Sequence, residues 1–358
     1  MPARSNPLNI NRGAVICRDS KKYISDLVCY RKHHVQFGQL LESLTLDNST
    51  KTLYANAIFV DEHTRLRDIY KEFTEKVYKG VISNVDFKND SVTQAFINNW
   101  VKEHTNNRIE SFLTEPLPLD TRVVLLSALH FSGEWQKPFA LQFTRIMNFT
   151  KSDGTKIEAE LMLNFDIDLL AIPYRGEETE LFVVKPGTEK GKSLPDMLKR
   201  LTANKLEKAI SNLKSKDCII RFPKMSLKYR ADLDKPLKAL GIKSMFDNSA
   251  HFGLMVDDSG KRNDTADKII LRVADDIDTS QLDVLSKLPN PGIRIDSVIH
   301  EVHMTINEFG TEASAVASGT LRRTVQAFYT DSPFYFFIRN EKTKLVTFSA
   351  AIFDPTKE

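Results

Sequence analysis

The chain has 358 residues, 41% of them hydrophobic and 27% charged, with 50 basic residues against 47 acidic ones and a formal charge of +3. That balance argues against a polybasic binder of nucleic acid or membrane surface, and no apolar run is long enough to span a bilayer as a helix. Three cysteines, Cys17, Cys29 and Cys218, none in a CxxC pair, exclude a disulfide scaffold.

Met1 to Gly13 is polar and has no apolar segment of the kind that opens a secretory leader. Asn48-Ser49-Thr50, Asn148-Phe149-Thr150 and Asn263-Asp264-Thr265 are glycosylation sequons, so Asn48, Asn148 and Asn263 are the candidate modified residues. A Cys17–Cys29 bridge has nothing in the spacing to support it, and Cys218 beside Ile219-Ile220 reads as a buried strand residue. Phe37, Leu40, Leu41 and Leu44 recur at helical spacing. The cluster Arg31-Lys32-His33-His34 beside them is either a solvated helix end or a patch for a polyanion such as a sulfated glycan.

Leu53 to Val60 reads as a strand, and Leu66 to Tyr78 as a helix with Leu66, Ile69, Tyr70, Phe73 and Val77 on one face. Val85-Asp86-Phe87 is a short extended piece. Asp90 is placed to cap the next helix, which should run to Glu110 with Ile97 and Trp100 on its apolar side. Val123 to Phe131 is nearly all apolar, which predicts a strand covered on both faces. Leu181 to Val184 is another strand. The polar stretch after it, Lys185 to Ser193, holds Pro186 where a phosphate-binding loop needs a backbone N–H donor, so nucleotide binding is not expected. Ile219 to Leu227 is a strand, and Leu233 to Phe246 a helix with its exit. Val256 to Pro291 is acidic but lacks the DxDxDG spacing of a calcium loop, so no metal is expected.

Val302, Met304 and Ile306 alternate with His303 and Thr305 as a half-buried strand, and Pro333 to Ile338 is a dense aromatic strand. Between them Thr311, Ala313, Ala315 and Ala317 stand at every second position, all small and uncharged. In extended form that face is narrow enough to slide between two existing strands. Alanine is a poor strand former, so nothing commits the segment to a sheet in advance, and Gly310 supplies a pivot before it. A connection this long inside a compact domain is usually functional or disordered.

Asn307-Glu308-Phe309-Gly310-Thr311-Glu312-Ala313-Ser314-Ala315 resembles the hinge of the serpins, the serine-protease-inhibitor family. Ala55-Asn56 with Phe59-Val60, Thr105 with Arg108-Ile109, Ser132-Gly133-Glu134-Trp135 with Pro138-Phe139, Pro223-Lys224 and Val346-Thr347-Phe348 with Pro355 match serpin landmarks in order. The match covers roughly residues 36–355 and leaves 1–35 atypical. The resemblance implies an α+β fold over 1–358 as a single domain. It would have a large central mixed sheet, further sheets, about eight or nine helices and an exposed reactive-centre loop over 308–332. It marks 256–291 as an insertion. It implies that Trp135 lies at the top of the central sheet where the loop starts to insert, that Lys224 faces Glu308 at the loop's base, and that His300 lies beneath the sheet's centre. There the family's usual asparagine partner is replaced by Ser127. Ala350 and Asn107 stand where the family has glycines; asparagine tolerates the left-handed region.

The function implied is that of a protease inhibitor and not an enzyme, and no His, Ser and Asp set carries a hydrolase signature. Arg322-Arg323 would bait a trypsin-like protease into cutting the loop. Family spacing from Gly310 puts the cut at Thr324–Val325; one residue shorter gives Arg323–Thr324, the favoured bond, and two shorter gives Arg322–Arg323. The hinge residues Glu308, Gly310, Thr311, Ala313, Ala315 and Ala317 would then enter the sheet. A monomer without cofactor is expected, extracellular by family or cytoplasmic by its lack of a leader. A second reading is a non-inhibitory binding or storage protein on the same fold.

Overall fold

The structure, a computed structural model, describes residues 36–43, 50–168, 171–186, 193–213, 217–256, 288–311 and 326–357. Residues 36–43 form helix α1. β1 (Thr50–Asp61), α2 (Asp68–Tyr78), β2 (Val81–Val85), α3 (Asp90–His104) and β3 (Val123–Glu134) follow. Next come β4 (Arg145–Thr150), β5 (Lys156–Asp168), β6 (Ala171–Pro173), β7 (Thr179–Val184), α4 (Leu194–Arg200) and α5 (Ala203–Ser211). The rest are β8 (Asp217–Pro223), β9 (Met225–Asp232), α6 (Asp234–Ala239), β10 (Ser297–Asn307), β11 (Gly310–Thr311), β12 (Gln326–Tyr329), β13 (Phe334–Asn340) and β14 (Val346–Ile352). The strands make three sheets, of orders β2-β1-β3-β11-β10-β9, β12-β8-β5-β4 and β14-β13-β7-β6. Three sheets with helices form the α+β architecture expected, with six α-helices among the described residues.

The chain resolves into two compact units. One comprises Met1–Leu46, Leu53–Leu129 and Arg230–Glu301. Its core gathers Phe59, Ile97, Val101, Phe112, Val124, Leu126 and Ile299, and Trp100 meets Phe59 edge to face. The other comprises Asp47–Thr52, His130–Tyr229 and Val302–Glu358. Its core is aromatic, with Phe131, Trp135, Phe149, Tyr174, Phe222, Phe334 and Phe336 all buried. β13 lies between β14 and β7, so its Phe-rich sequence is covered as a central strand should be.

Several elements end earlier than their patterns suggest, each for a local reason. α3 stops at His104 and not at Glu110, because Asn106 and Asn107 take left-handed φ of 52° and 60°. Its N-cap is Asn89; Asp90 lies in the first turn and caps nothing beyond its neighbour Ser91. The stretch 219–227 is two strands, since Lys224 breaks ladder geometry and donates its N–H to the Glu160 carbonyl. α6 is short and Gly241 then turns with φ 96°. β2 ends at Val85, and Asp86-Phe87 already turn. After β7, Ser193 caps α4 by accepting from Asp196 N at 3.3 Å. Cys218 lies in β8, but its side chain falls outside the described residues, as do Cys17, Cys29 and most of the acidic stretch, 257–287.

Phe336 is wholly buried, stacked on Phe348 and in contact with Phe334. Phe336→Ala is expected to cost about 3–5 kcal/mol of stability, read as a shift in the denaturant midpoint without a change in slope.

Candidate functional site

The end of β10 turns tightly back on itself. Asn307 Oδ1 accepts from the amides of Phe309 (2.9 Å) and Gly310 (3.2 Å), closing a turn that leads into the two residues of β11. β11 pairs antiparallel with β10, Gly310 against Asn307 and Thr311 against Ile306. It also pairs antiparallel with β3, Gly310 against Glu134 and Thr311 against Gly133. The first two residues of the long connection are therefore already a strand between two others. Thr311 is fully buried there.

Only glycine fits this entry. Gly310 has φ +152°, and a Cβ on it would stand 2.1 Å from the Gly133 carbonyl oxygen. Gly133 is constrained by packing alone: its Cβ would meet Tyr174 Cδ1 at 2.8 Å and Thr50 Cγ2 at 3.0 Å. Trp135 roofs the turn. Its indole Nε1–H donates to the Asn307 carbonyl at 3.0 Å, and its backbone N–H donates to the Phe309 carbonyl at 2.9 Å. Phe139 N–H donates to the Glu308 carbonyl at 2.7 Å. The tryptophan thus stands where the loop enters the sheet.

Glu308 is buried at 3% exposure. Lys224 faces it, as expected, at 3.9 Å, but lies nearer Glu160 at 3.3 Å. The stronger partner is one the sequence did not suggest: the Thr144 hydroxyl donates to Glu308 Oε1 at 2.8 Å. A buried carboxylate with a direct hydrogen bond loses less on desolvation than one with a distant cation alone. Tyr174 was likewise not foreseen; it follows β6, stacks on Trp135 at 4.5 Å and hydrogen-bonds Thr311 Oγ1 at 2.7 Å.

The unit containing α3 holds the other expected pair. His300 Nδ1 lies 3.2 Å from the backbone carbonyl of Ser127, so that nitrogen carries the proton and donates. The Ser127 hydroxyl does not replace the expected asparagine; it donates instead to Asn56 Oδ1 at 2.9 Å. In the same unit Asp296, just before β10, donates its N–H to the Val123 carbonyl of β3 at 3.0 Å, and β3 and β10 also pair with each other.

The far end of the loop is anchored separately. β12 is a sheet edge, four residues long and parallel to β8. Thr330 donates both its N–H (2.9 Å) and its hydroxyl (2.7 Å) to the Arg221 carbonyl. The Arg221 guanidinium lies 4.0 Å over the Tyr329 ring, and Lys185 donates to the Tyr329 carbonyl.

Glu308, Gly310, Thr311, Trp135 and Lys224 are brought together, and His300 meets Ser127. Ala313, Ala315, Ala317, Arg322, Arg323, Thr324 and Val325 lie outside the described residues, as do Asn48, Asn263 and the basic cluster 31–34. Asn148 is exposed on β4, an edge strand. Among the described residues no cluster of His, Cys, Asp or Glu has the geometry to hold a metal.

The family profile described as Serpin (serine protease inhibitor) matches residues 21–355. The chain belongs to the serpins. It is 27% identical over 323 residues to Serine protease inhibitor 28Dc of Drosophila melanogaster, covering 84% of this chain and 59% of that protein. It is 26% identical over 321 residues to Iripin-2 of Ixodes ricinus, covering 85% of this serpin and 72% of the relative. Human thyroxine-binding globulin shares the fold at 19% identity and a TM-score of 0.77, over 95% of this serpin and 87% of that chain. Serpin48 of the insect Tenebrio molitor does so at 21% and 0.72, over 94% and 86%.

Burial pushes the His300 imidazole below its ordinary value of 6.5, and the Ser127 carbonyl opposes that only in part. The unfolded chain therefore takes up this proton first as pH falls. The contribution is fully present above 6.5 and is lost as pH drops through the lowered folded value. Melting temperature should fall as pH is lowered from neutrality through this window, and His300→Gln should flatten that part of the profile. Thermal scans across the range check it.

Proposed function

We propose that this serpin inhibits a serine protease of trypsin-like specificity as a suicide substrate. The observation that supports this most directly is β11: Gly310 and Thr311 are hydrogen-bonded on both sides before any bond is cut. Continuing that register would set Ala313 between Phe131 and Met304. The alternate residues after it, Ala315 and Ala317, are just as small. Gly133 and Ile306, which flank Thr311, are as far apart in sequence as Ser127 and His300, which touch. A strand entering between β3 and β10 would thus part them sideways without sliding one along the other.

The chemistry follows from the general course of serine proteolysis. The protease's serine attacks the carbonyl at the reactive bond, for which we favour Arg323–Thr324, and forms an acyl-enzyme as the amine leaves. Arg322 and Val325 mark the neighbouring alternatives. The severed N-terminal side then gains main-chain hydrogen bonds as an added strand. The esterified protease moves with it, and distortion of its triad would leave the ester unhydrolysed. Insertion must outrun hydrolysis, so side chains small enough to pass between β3 and β10 set the outcome. It must also break the His300–Ser127 contact, which makes that pair a brake on the passage.

Incubation with trypsin followed by a denaturing gel tests the reading. The expected result is a complex that survives detergent and a C-terminal peptide, freed by that detergent, whose sequence begins at Thr324. A peptide beginning at Arg323 or Val325 would move the bond by one residue without changing the mechanism. Complete cleavage with no complex would favour a non-inhibitory binding protein. Ala313→Arg should turn the inhibitor into a substrate, cut at an unchanged rate with complex formation abolished. The nicked protein should also melt well above the intact one, because the inserted strand adds a full ladder of hydrogen bonds.

A further inference from the structure

Tyr174 lies outside every motif that the sequence singles out, yet it is packed against four residues of the loop's entrance. Its ring stacks on Trp135 with centroids 4.5 Å apart and meets Phe131 edge on at 5.2 Å. It occupies the space left by the missing side chain of Gly133. Its hydroxyl is 2.7 Å from Thr311 Oγ1, and both residues are fully buried. This is the sole hydrogen bond that either side chain makes among the described residues. Burial also pushes the phenol's pKa up, so it is neutral and able to donate.

We propose that Tyr174 is a positioning residue that latches Thr311 into the sheet before the loop is cut. The reason is the cost of a buried hydroxyl without a partner. With Thr311 in place, each hydroxyl satisfies the other. If Thr311 withdraws, the Tyr174 hydroxyl loses the one partner it has among the described residues, inside a wholly buried aromatic setting. The latch therefore favours the state in which the first register of insertion is already set. The loop does not have to find its place between β3 and β10 after cleavage, because Thr311 is already there. The consequence for inhibition rests on the reading given under Proposed function; the latch itself is a property of the uncut protein.

The test separates the two. Hydrogen exchange of the peptide covering residues 307–312 is followed by mass spectrometry in the intact, uncut protein. Tyr174→Phe keeps the ring and its stack, so the fold should be retained, as a thermal melt will show. It should speed exchange at 309–311 by about tenfold through easier local opening. Thr311→Val, which keeps the shape, should do the same. The double variant Tyr174→Phe with Thr311→Val leaves no lone hydroxyl and should return exchange close to that of the parent. A purely structural role for the ring would not give this rescue. Single variants that exchange like the parent, or a double variant in which the effects merely add, overturn the latch. In the protease assay Tyr174→Phe should raise the number of serpin molecules consumed per protease trapped. If the parent forms no complex at all while the exchange pattern appears, the inhibitor reading fails and the latch stands. If complexes form but exchange is unmoved, the reverse holds.

Discussion

Thr311 is paired on two sides at once, and the rest of the site exists to allow it. A two-residue strand has little stability of its own, so its backbone bonds to Gly133 and Ile306 must be backed by side chains. Trp135 closes the turn from above, Glu308 is held by Thr144 and Lys224, and Gly133 gives up its side chain to make room. Each of these residues can be explained by the need to keep one edge of a parted pair of strands satisfied. A fork in a sheet otherwise exposes two rows of backbone donors and acceptors, which is costly if buried and an invitation to pairing if not.

The same constraint explains why two glycines, and not one, stand at the entrance. Gly310 has to take a backbone conformation that side chains rarely tolerate. Gly133 has ordinary geometry but faces an aromatic ring at contact distance. The first is a demand of the chain's path and the second a demand of packing. Neither could be relieved by a small substituent, since the nearest atom to Gly310 is backbone and that to Gly133 belongs to a ring stacked on Trp135.

Much of this was legible in the sequence, for physical reasons. Apolar runs such as Val123 to Phe131 and Pro333 to Ile338 become central strands because burial on both faces leaves no room for alternation. Gly310 was legible as a pivot because a path this tight needs a residue without a side chain, and the small Thr311 follows it into the sheet. What could not be read were contacts between residues far apart in the chain. Thr144 lies 164 residues from Glu308, and Tyr174 lies 137 from Thr311. Both are single polar residues in otherwise unremarkable stretches, and only the fold brings them to the hinge. The break at Lys224 was missed for a related reason: the residue belongs to an apolar-patterned run, and its amide is diverted to Glu160 by a strand remote in sequence. Ser127 was placed correctly but with the wrong atom, because a carbonyl is present at every residue and carries no signature.

The anchoring of Tyr329 and Thr330 has a further consequence. The piece of chain beyond the proposed cut contains β12, β13 and β14, and so carries Phe334, Phe336 and Ile338, among the most deeply buried side chains of its unit. It is held by the Arg221 carbonyl near its start and by the whole length of β7 along β13. A protease acting on the loop would then produce not two fragments but a two-chain protein, in which the short chain is an indispensable part of the interior. Proteolysis in this architecture is a change of connectivity, with loss of mass prevented by the core.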